Sequence, residues 1–368
     1  MRISFVSINS ITNIPSIRFI VKYFQEKGDF ISICETHYLD SNSYFKESNN
    51  LKLEYYKVFK NYDDSLNSNK RNFLIKYFKL ALVVLKQIRS SECIYTNDYQ
   101  ILFLLFMFKK VNKKPMEIVY HQFEVILESK LNKINKFLFA FVKRNINQLS
   151  LAILPEKNRL KYFVSQTNYK GEIGLIPNSC RLSDVKLDVR KVPVKKTVLH
   201  VGSVGGSNHY FDSILKVMEI LKDEPIDFVF VGRHSPVIKK KFESLNLPNL
   251  ILHESVPHQK LKDYYRMADM GLILYKSTGV NYEFCAPNKL YEMWSHGLPV
   301  LGHTLVGLNN VFKYSFQGEL VSFDKVDELA KLILAYNPDN DLKNKLLGYF
   351  ENNLEIDFFL PLLDKIKK

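Results

Sequence analysis

Two charged residues three positions apart, Lys289 and Glu292, lie in the segment Asn281-Tyr-Glu-Phe-Cys-Ala-Pro-Asn-Lys-Leu-Tyr-Glu-Met-Trp-Ser-His-Gly-Leu-Pro-Val300. Pro287 and Asn288 fit a helix start with Asn288 as N-cap, and Gly297 followed by Pro299 fits its end. At that spacing a cation and a carboxylate share one helix face. A helix N-terminus presents unpaired backbone N–H groups, so from about Lys289 onward an anion, above all a diphosphate, could be held. A carboxylate one turn further in can accept two hydroxyl hydrogen bonds, as vicinal ribose hydroxyls would offer. On these residues alone the pair could equally be a surface ion pair worth about 0.3 kcal/mol.

A second candidate is His121-Gln-Phe-Glu124, directly after Glu117 to Tyr120, a predicted strand whose carboxyl edge would carry it. Other chemistries find little support. Cys34, Cys93, Cys180 and Cys285 lie far apart and never form Cys-x-x-Cys, against a zinc site or a disulfide framework. Ser, Lys and Cys nucleophile motifs are absent. The one Asp-x-Asp, Asp339-Asn-Asp341, follows Asn337-Pro338 and reads as a turn and helix cap rather than a metal site. No essential metal and no bound cofactor are expected.

The elements that must position these residues alternate. Strand patterns at 3–8, 30–34, 93–95, 117–120 and 151–154 are separated by helical patterns, among them 16–27, 72–89, 101–114 and 131–147. Past Ile176-Pro177-Asn178 comes a charged stretch, Arg181 to Lys196. Alternation then restarts, with strands at 197–201, 227–231, 250–253, 271–275 and 299–301 and helices at 210–221, 236–245, 260–267 and 288–296. Such alternation implies parallel sheets with crossover helices, hence an α/β chain of two doubly wound Rossmann-like domains. The expected division is 1–180, a linker at 181–196, 197–350, and a C-terminal helix at 351–368 returning to the first domain. Ligands of such sheets sit outside the carboxyl ends of the strands, which makes a cleft between facing domains the natural site.

The 368 residues carry 52 Lys+Arg against 38 Asp+Glu, a net of +14. Residues 1–180 hold 27 basic and 15 acidic side chains, whereas residues 181–368 hold 25 and 23. The excess is therefore +12 in the first half and +2 in the second. Within the first half, residues 71–150 carry 14 basic and 5 acidic side chains, mixed into apolar helical stretches. In the last stretch Leu131, Ile134, Leu138 and Val142 alternate with Lys133, Lys136, Lys143 and Arg144. Solvated lysines and a surface for anionic lipid both fit this pattern. Nucleic acid ranks below them, because no zinc finger, RNP motif or basic tail accompanies the charge. The longest apolar run, Ile101 to Phe108, is eight residues against the ~20 needed to span a bilayer, and the N-terminus shows no signal-peptide pattern. A cytoplasmic, peripheral location is expected.

Pro287-Asn-Lys-Leu-Tyr-Glu followed by Gly297-Leu-Pro-Val resembles the C-terminal donor-nucleotide motif of GT-B glycosyltransferases similar to family 4. Further segments agree in order. His200-Val-Gly-Ser-Val-Gly resembles the first strand and phosphate loop of that family's donor domain, and Phe230-Val-Gly-Arg233 the strand ending in Val-Gly. Val256-Pro-His-Gln-Lys-Leu through Gly271-Leu-Ile-Leu resembles its nucleotide-contacting loop, helix and next strand. Leu151-Ala-Ile-Leu-Pro-Glu, Ile176-Pro-Asn and His121-Gln-Phe-Glu124 resemble parts of the acceptor domain. The likeness is specific over about 197–302 and looser over 117–180.

The resemblance implies that Glu292 holds the donor ribose and that backbone N–H groups of Phe284, Cys285, Ala286 and Asn288 bind the sugar or its phosphates. It places Ser203, Gly205 and Gly206 near the diphosphate and Val256 and His258 near the base. The family's second glutamate, eight before Glu292, is Phe284 here, with Glu283 displaced by one. Asn208-His209 stands where Lys-Gly is usual, so Arg233, Lys289 or His209 must supply charge to the leaving diphosphate, Arg233 first for its fork of donors. The N-terminal glycine-rich loop is replaced by Asn9 to Pro15. His121 or Glu124 would take the acceptor hydroxyl's proton.

The implied function is transfer of a sugar from a nucleotide-sugar, UDP- or GDP-linked, to a lipid-linked or polysaccharide acceptor at the inner face of the plasma membrane, retaining and metal-independent. An idle GT-B subunit that activates a partner transferase, or a nucleotide-sugar epimerase, are the alternatives.

Overall fold

The computed structural model describes residues 1–11, 14–36, 45–56, 70–109, 115–182, 195–203, 207–337 and 339–367. Most of the expected linker, 183–194, and Gly205 and Gly206 of the expected phosphate loop lie outside them. The chain forms two compact units, one of Met1–Pro177 with Phe359–Lys368 and one of Asn178–Phe358.

The first unit holds seven strands: β1 (Arg2–Val6), β2 (Phe30–Thr36), β3 (Leu51–Tyr56), β4 (Cys93–Thr96), β5 (Glu117–His121), β6 (Leu151–Leu154) and β7 (Ile173–Leu175). All pair in parallel, in the order β3-β2-β1-β4-β5-β6-β7. β4 and β6 are buried along their whole length, because helices cover both faces of such a sheet. Three helices, Lys70–Ser90, Tyr99–Lys109 and Lys133–Asn145, realise the basic-apolar stretches expected from sequence. Asn132 caps the last of them, its side chain accepting from the Asn135 N–H at 2.9 Å.

The second unit holds β8 (Lys196–Val201), β9 (Ile226–Val231), β10 (Leu250–His253), β11 (Met270–Ile273), β12 (Val300–His303) and β13 (Gly318–Val321). They too are parallel, in the order β10-β9-β8-β11-β12-β13. In each sheet the winding reverses beside the first strand, between β1 and β4 and between β8 and β11. A crevice opens at the carboxyl ends of the strands at such a reversal.

Three strands escaped the sequence reading. β3 carries Lys52 and Glu54 between its apolar residues, β7 has three residues, and β13 begins on a glycine. All three are edge strands, β3 and β7 ending the first sheet and β13 the second, and edge strands need no long apolar run. The expected helix at 351–368 is also corrected. The helix Asn340–Asn353 ends earlier, and the chain closes in 3₁₀ turns at Ile356–Phe358 and Leu360–Lys367. Pro361 removes an N–H there. In the first unit, Tyr23 donates to Asp364 at 3.1 Å, and Lys365 pairs with Glu172. A side chain at Gly174 would collide with that of Leu362.

Candidate functional site

The motif helix spans Asn288–Trp294. Asn288 is its first helical residue, not its cap. Pro287 takes the cap position in extended conformation (φ −78°, ψ 155°), and no side chain caps the helix, which corrects the expected role of Asn288. Gly297 closes the turn beyond it at φ +66°, with Leu298 N–H bonded back to Met293 O at 3.0 Å. Leu290, Tyr291, Met293 and Trp294 are buried, and Trp294 Nε1 donates to Gln317 O at 2.9 Å. That anchored apolar side fixes the rotation of the helix, and with it the directions of Lys289 and Glu292.

Lys289 reaches the end of β8. A Cβ added at Gly202 would lie 3.0 Å from Lys289 Nζ, and one added at Gly232 would lie 2.1 Å from Gly202 O. Both glycines have positive φ, +127° and +154°, so the ends of β8 and β9 meet backbone to backbone beneath the ammonium. The ammonium also lies 4.7 Å from the centroid of the Tyr275 ring. His209 packs on the same ring at 5.3 Å. Lys289 makes no ion pair among the described residues, with Glu292 or any other carboxylate. Burial pushes its ammonium down to about 8, against the weaker opposing pull of Cys285 and Glu292.

Glu292 turns elsewhere. His258 Nε2 donates to its Oε1 at 2.9 Å and Tyr265 Oη to its Oε2 at 2.8 Å. Burial raises the carboxyl's pKa, yet the bond from His258, its charge, and the bond from Tyr265 hold it below the ordinary value. Tyr265, 3% exposed, is raised well above its usual range by burial and by the Glu292 charge. His296 packs on the Tyr265 ring at 5.0 Å, and its Nδ1 lies 2.8 Å from Glu292 O. Burial pushes His296 down. The surface-pair reading of Lys289 and Glu292 is therefore not what the structure forms.

The remaining residues of the second unit fall around this pair. Arg233 is exposed just past Gly232, and Ser203 is exposed past Gly202. Val256 is half-buried and His258 exposed in the loop after β10. Phe284, Cys285 and Ala286 form the turn before the helix, with Asn178 Nδ2 donating to Ala286 O at 3.2 Å. Glu283 has a structural occupation: its carboxylate accepts from Ser277 Oγ and from Val306 N at 3.2 Å.

In the first unit His121 ends β5, and Glu124 lies three residues beyond it. His121 is fully buried, its Nδ1 2.6 Å from Tyr95 Oη and its ring 4.0 Å from that of Phe123. Burial alone pushes its imidazolium down to about 3, so the ring is held neutral, and among the described residues its Nε2 meets no hydrogen-bond partner. Glu124 is exposed beyond it, with Gln122 Nε2 donating to its backbone carbonyl at 2.8 Å. The loop that replaces the glycine-rich segment is held by carboxylates. Asp98 accepts from Ser7 Oγ at 2.8 Å and Ile8 N at 2.7 Å, and Glu35 accepts from Ile11 N at 2.7 Å. Thr12 and Asn13 lie outside the described residues.

Sequence reasoning missed Tyr265, Gly307, Asp98 and Glu35. A Cβ at Gly307 would stand 2.5 Å from Phe284 C and 2.6 Å from Cys285 N, so this glycine lets the helix Val306–Val311 lie directly on the motif loop. Only Tyr265 had a local signal: a tyrosine on the buried side of a helix needs a partner for its hydroxyl. Asp339 does cap its helix, accepting from Leu342 N at 2.8 Å. Among the described residues no group of three or more His, Cys, Asp or Glu is placed to hold a metal, and no helix is long and apolar enough to cross a membrane.

Residues 195–337 match the family model described as glycosyl transferases group 1. Fold and domain together define the class: a glycosyltransferase of the GT-B fold. Three solved structures show the likeness over nearly the whole chain. Anabaena HepE in complex with UDP shares 14% identity, covering 99% of this chain and 99% of that one, at a TM-score of 0.70. Sucrose-phosphate synthase from Thermosynechococcus elongatus shares 13%, covering 100% and 98%, at 0.70. The lipopolysaccharide outer core galactosyltransferase WaaB, in its apo form, shares 13%, covering 100% and 99%, at 0.68. A search of curated proteins finds no match.

Proposed function

We propose that the protein moves a sugar from a nucleotide-sugar to a glycan or lipid-linked glycan at a membrane face, as a retaining, metal-independent transferase resembling family 4. The observation that carries this reading is the Lys289 ammonium, desolvated over the glycine ends of β8 and β9 without a carboxylate partner, with Glu292 one turn further along the helix. A half-buried cation left without a carboxylate is costly, and an anionic ligand offsets that cost. In this reading Lys289, Arg233 and His209 hold the donor diphosphate, with Ser203, Gly205 and Gly206 beside it. Glu292 takes the ribose hydroxyls through the lone pairs that His258 and Tyr265 leave open. The backbone of Phe284, Cys285, Ala286 and Asn288 faces the sugar and its phosphates, and Val256 and His258 flank the base. A UDP-linked donor comes first, since HepE is solved with UDP and with UDP-glucose, and GDP-linked donors come second.

The acceptor oxygen bonds to the anomeric carbon while the bond from that carbon to the diphosphate oxygen breaks. The acceptor's proton passes to Glu124 or to the departing phosphate. Charge that a metal would otherwise supply comes here from Lys289 and Arg233. Neither the idle subunit nor the epimerase has an observation in its favour. The test is release of nucleoside diphosphate from a panel of UDP- and GDP-sugars, with and without glycan acceptor. Wild type should release it, and Lys289→Met should lower the rate at least tenfold. Equal rates for the two proteins would remove Lys289 from the donor site.

A further inference from the structure

The helices Lys70–Ser90, Tyr99–Lys109 and Lys133–Asn145 contain six, one and four Lys+Arg and not one Asp or Glu. The topology gathers this charge on one side. From β3 the chain proceeds to β4, β5 and β6 in one direction across the sheet, so right-handed crossovers put all three helices on the same face. The middle helix is enclosed, with Ile101, Leu102, Leu104, Leu105 and Phe106 buried. Tyr99 meets Phe139 at 5.5 Å and Phe103 meets Phe141 at 5.0 Å, which ties it to the third helix.

The two outer helices keep large apolar side chains in solvent. Phe78 is 66% and Leu82 52% exposed on the first, and Ile134 is 44% and Phe137 65% exposed on the third. At 1.5 Å of rise per residue, all four lie roughly 12–18 Å from the C-terminal ends of their helices, at a common height on the sheet. Exposed Lys79 lies beside Phe78, and exposed Lys133 and Lys136 beside Ile134 and Phe137. Two basic residues on these helices are neutralised from outside them, Lys86 by Glu54 and Lys143 by Glu128. Lys79, Lys133, Lys136, Arg89 and Arg144 make no ion pair among the described residues.

We infer that the outer face of helices Lys70–Ser90 and Lys133–Asn145 is a membrane-docking surface that seats Phe78, Leu82, Ile134 and Phe137 among the headgroups of an anionic bilayer. Charge complementarity selects the occupant. Helices that carry eleven Lys+Arg and no acidic side chain suit a polyanion, and exposed phenylalanines at the level of the lysines gain nothing from a phosphate backbone but partition into a headgroup layer. Paired apolar and basic contributions also give the two signals that stable peripheral anchoring needs. The inference deepens the membrane-face part of the reading above and does not depend on the donor site.

The experiment is cosedimentation of the full chain with vesicles of phosphatidylcholine alone and of phosphatidylcholine with phosphatidylglycerol. Wild type should pellet with the anionic vesicles only, and part of it should stay bound in molar salt, where screening removes the purely electrostatic share. Phe78→Ser/Phe137→Ser, both at exposed positions, should lose the salt-resistant fraction and bind at least tenfold more weakly, with an unchanged melting temperature and unchanged UDP binding. Lys133→Glu/Lys136→Glu should lose binding at low salt by a similar factor. Failure of wild type to pellet with anionic vesicles overturns the inference, as does complete release in salt with the phenylalanine variant binding like wild type. Preferential capture by single-stranded RNA in competition with vesicles overturns it in favour of nucleic acid. None of these outcomes bears on donor binding, which UDP titration reads separately.

Discussion

Lys289 and Glu292 are three residues apart yet have opposite electrostatic problems. Burial pushes the lysine down to about 8, so its charge is present below that pH and lost above it. Nucleoside diphosphate affinity should therefore fall as pH rises through about 8, and Lys289→Met should abolish that dependence while binding more weakly throughout. Calorimetric titration across pH 6–10 checks it, on the order of the Lys ionisation range. For the unliganded fold the sign reverses. The unfolded chain binds this proton more tightly, so stability rises with pH between about 8 and 10.5, and Lys289→Met should raise the melting temperature near neutrality. Glu292 is the converse case. Its depressed pKa depends on His258 and Tyr265 opposing burial, so Tyr265→Phe should raise it. Nucleotide binding in that variant should then be lost at a higher pH on acidification than in wild type, with a cost near neutrality of about 1–3 kcal/mol. Identical acid limbs for the two proteins would show that Tyr265 does not position the carboxylate.

At the scale of elements, the motif helix is held by its buried side and by the loop before it. Gly307→Ala introduces a Cβ that meets backbone atoms of Phe284 and Cys285, which no rotamer change relieves. The variant should lose about 1–3 kcal/mol of stability and bind UDP more weakly than its loss of stability explains, measured by denaturant titration and calorimetry together. Much of this level was legible beforehand. Long alternating elements such as β8, β9 and the helix Phe211–Ile220 have apolar patterns that depend on few partners. β3 and β13 did not, because edge strands tolerate charge and glycine. The helix start was displaced by one because Pro287, not Asn288, takes the extended cap position. The burial of His121 was illegible for a different reason: it depends on Tyr95 and Phe123 packing around the ring, which no spacing in the sequence encodes. Tyr265 and Gly307 meet the motif across 27 and more than 20 residues of chain, so only the fold brings them there.

At the scale of the whole molecule, the chain leaves its first unit at Pro177 and returns to it at Phe359. Leu360, Leu363 and Ile366 are 0%, 0% and 4% exposed, so residues 360–366 contribute to a core. Truncation after Phe358 should lower stability by several kcal/mol, at roughly 2 kcal/mol per buried aliphatic side chain, read as a lowered melting temperature or insoluble protein. The charge divides along the same lines, with 30 basic and 16 acidic side chains in the first unit and 22 of each in the second. A basic half and a nearly neutral half carrying the donor motif suit one chain that meets a membrane with one unit and a nucleotide-sugar with the other. The central claim, that Lys289 and Glu292 of the second unit hold a nucleotide-sugar, is tested most directly by calorimetric titration of UDP, GDP, ADP and CMP into wild type and Glu292→Ala. The account predicts that wild type binds UDP, or failing that GDP, in preference to the others, and that the variant loses at least tenfold. Absence of binding to every nucleotide, or equal affinity in the variant, would contradict it.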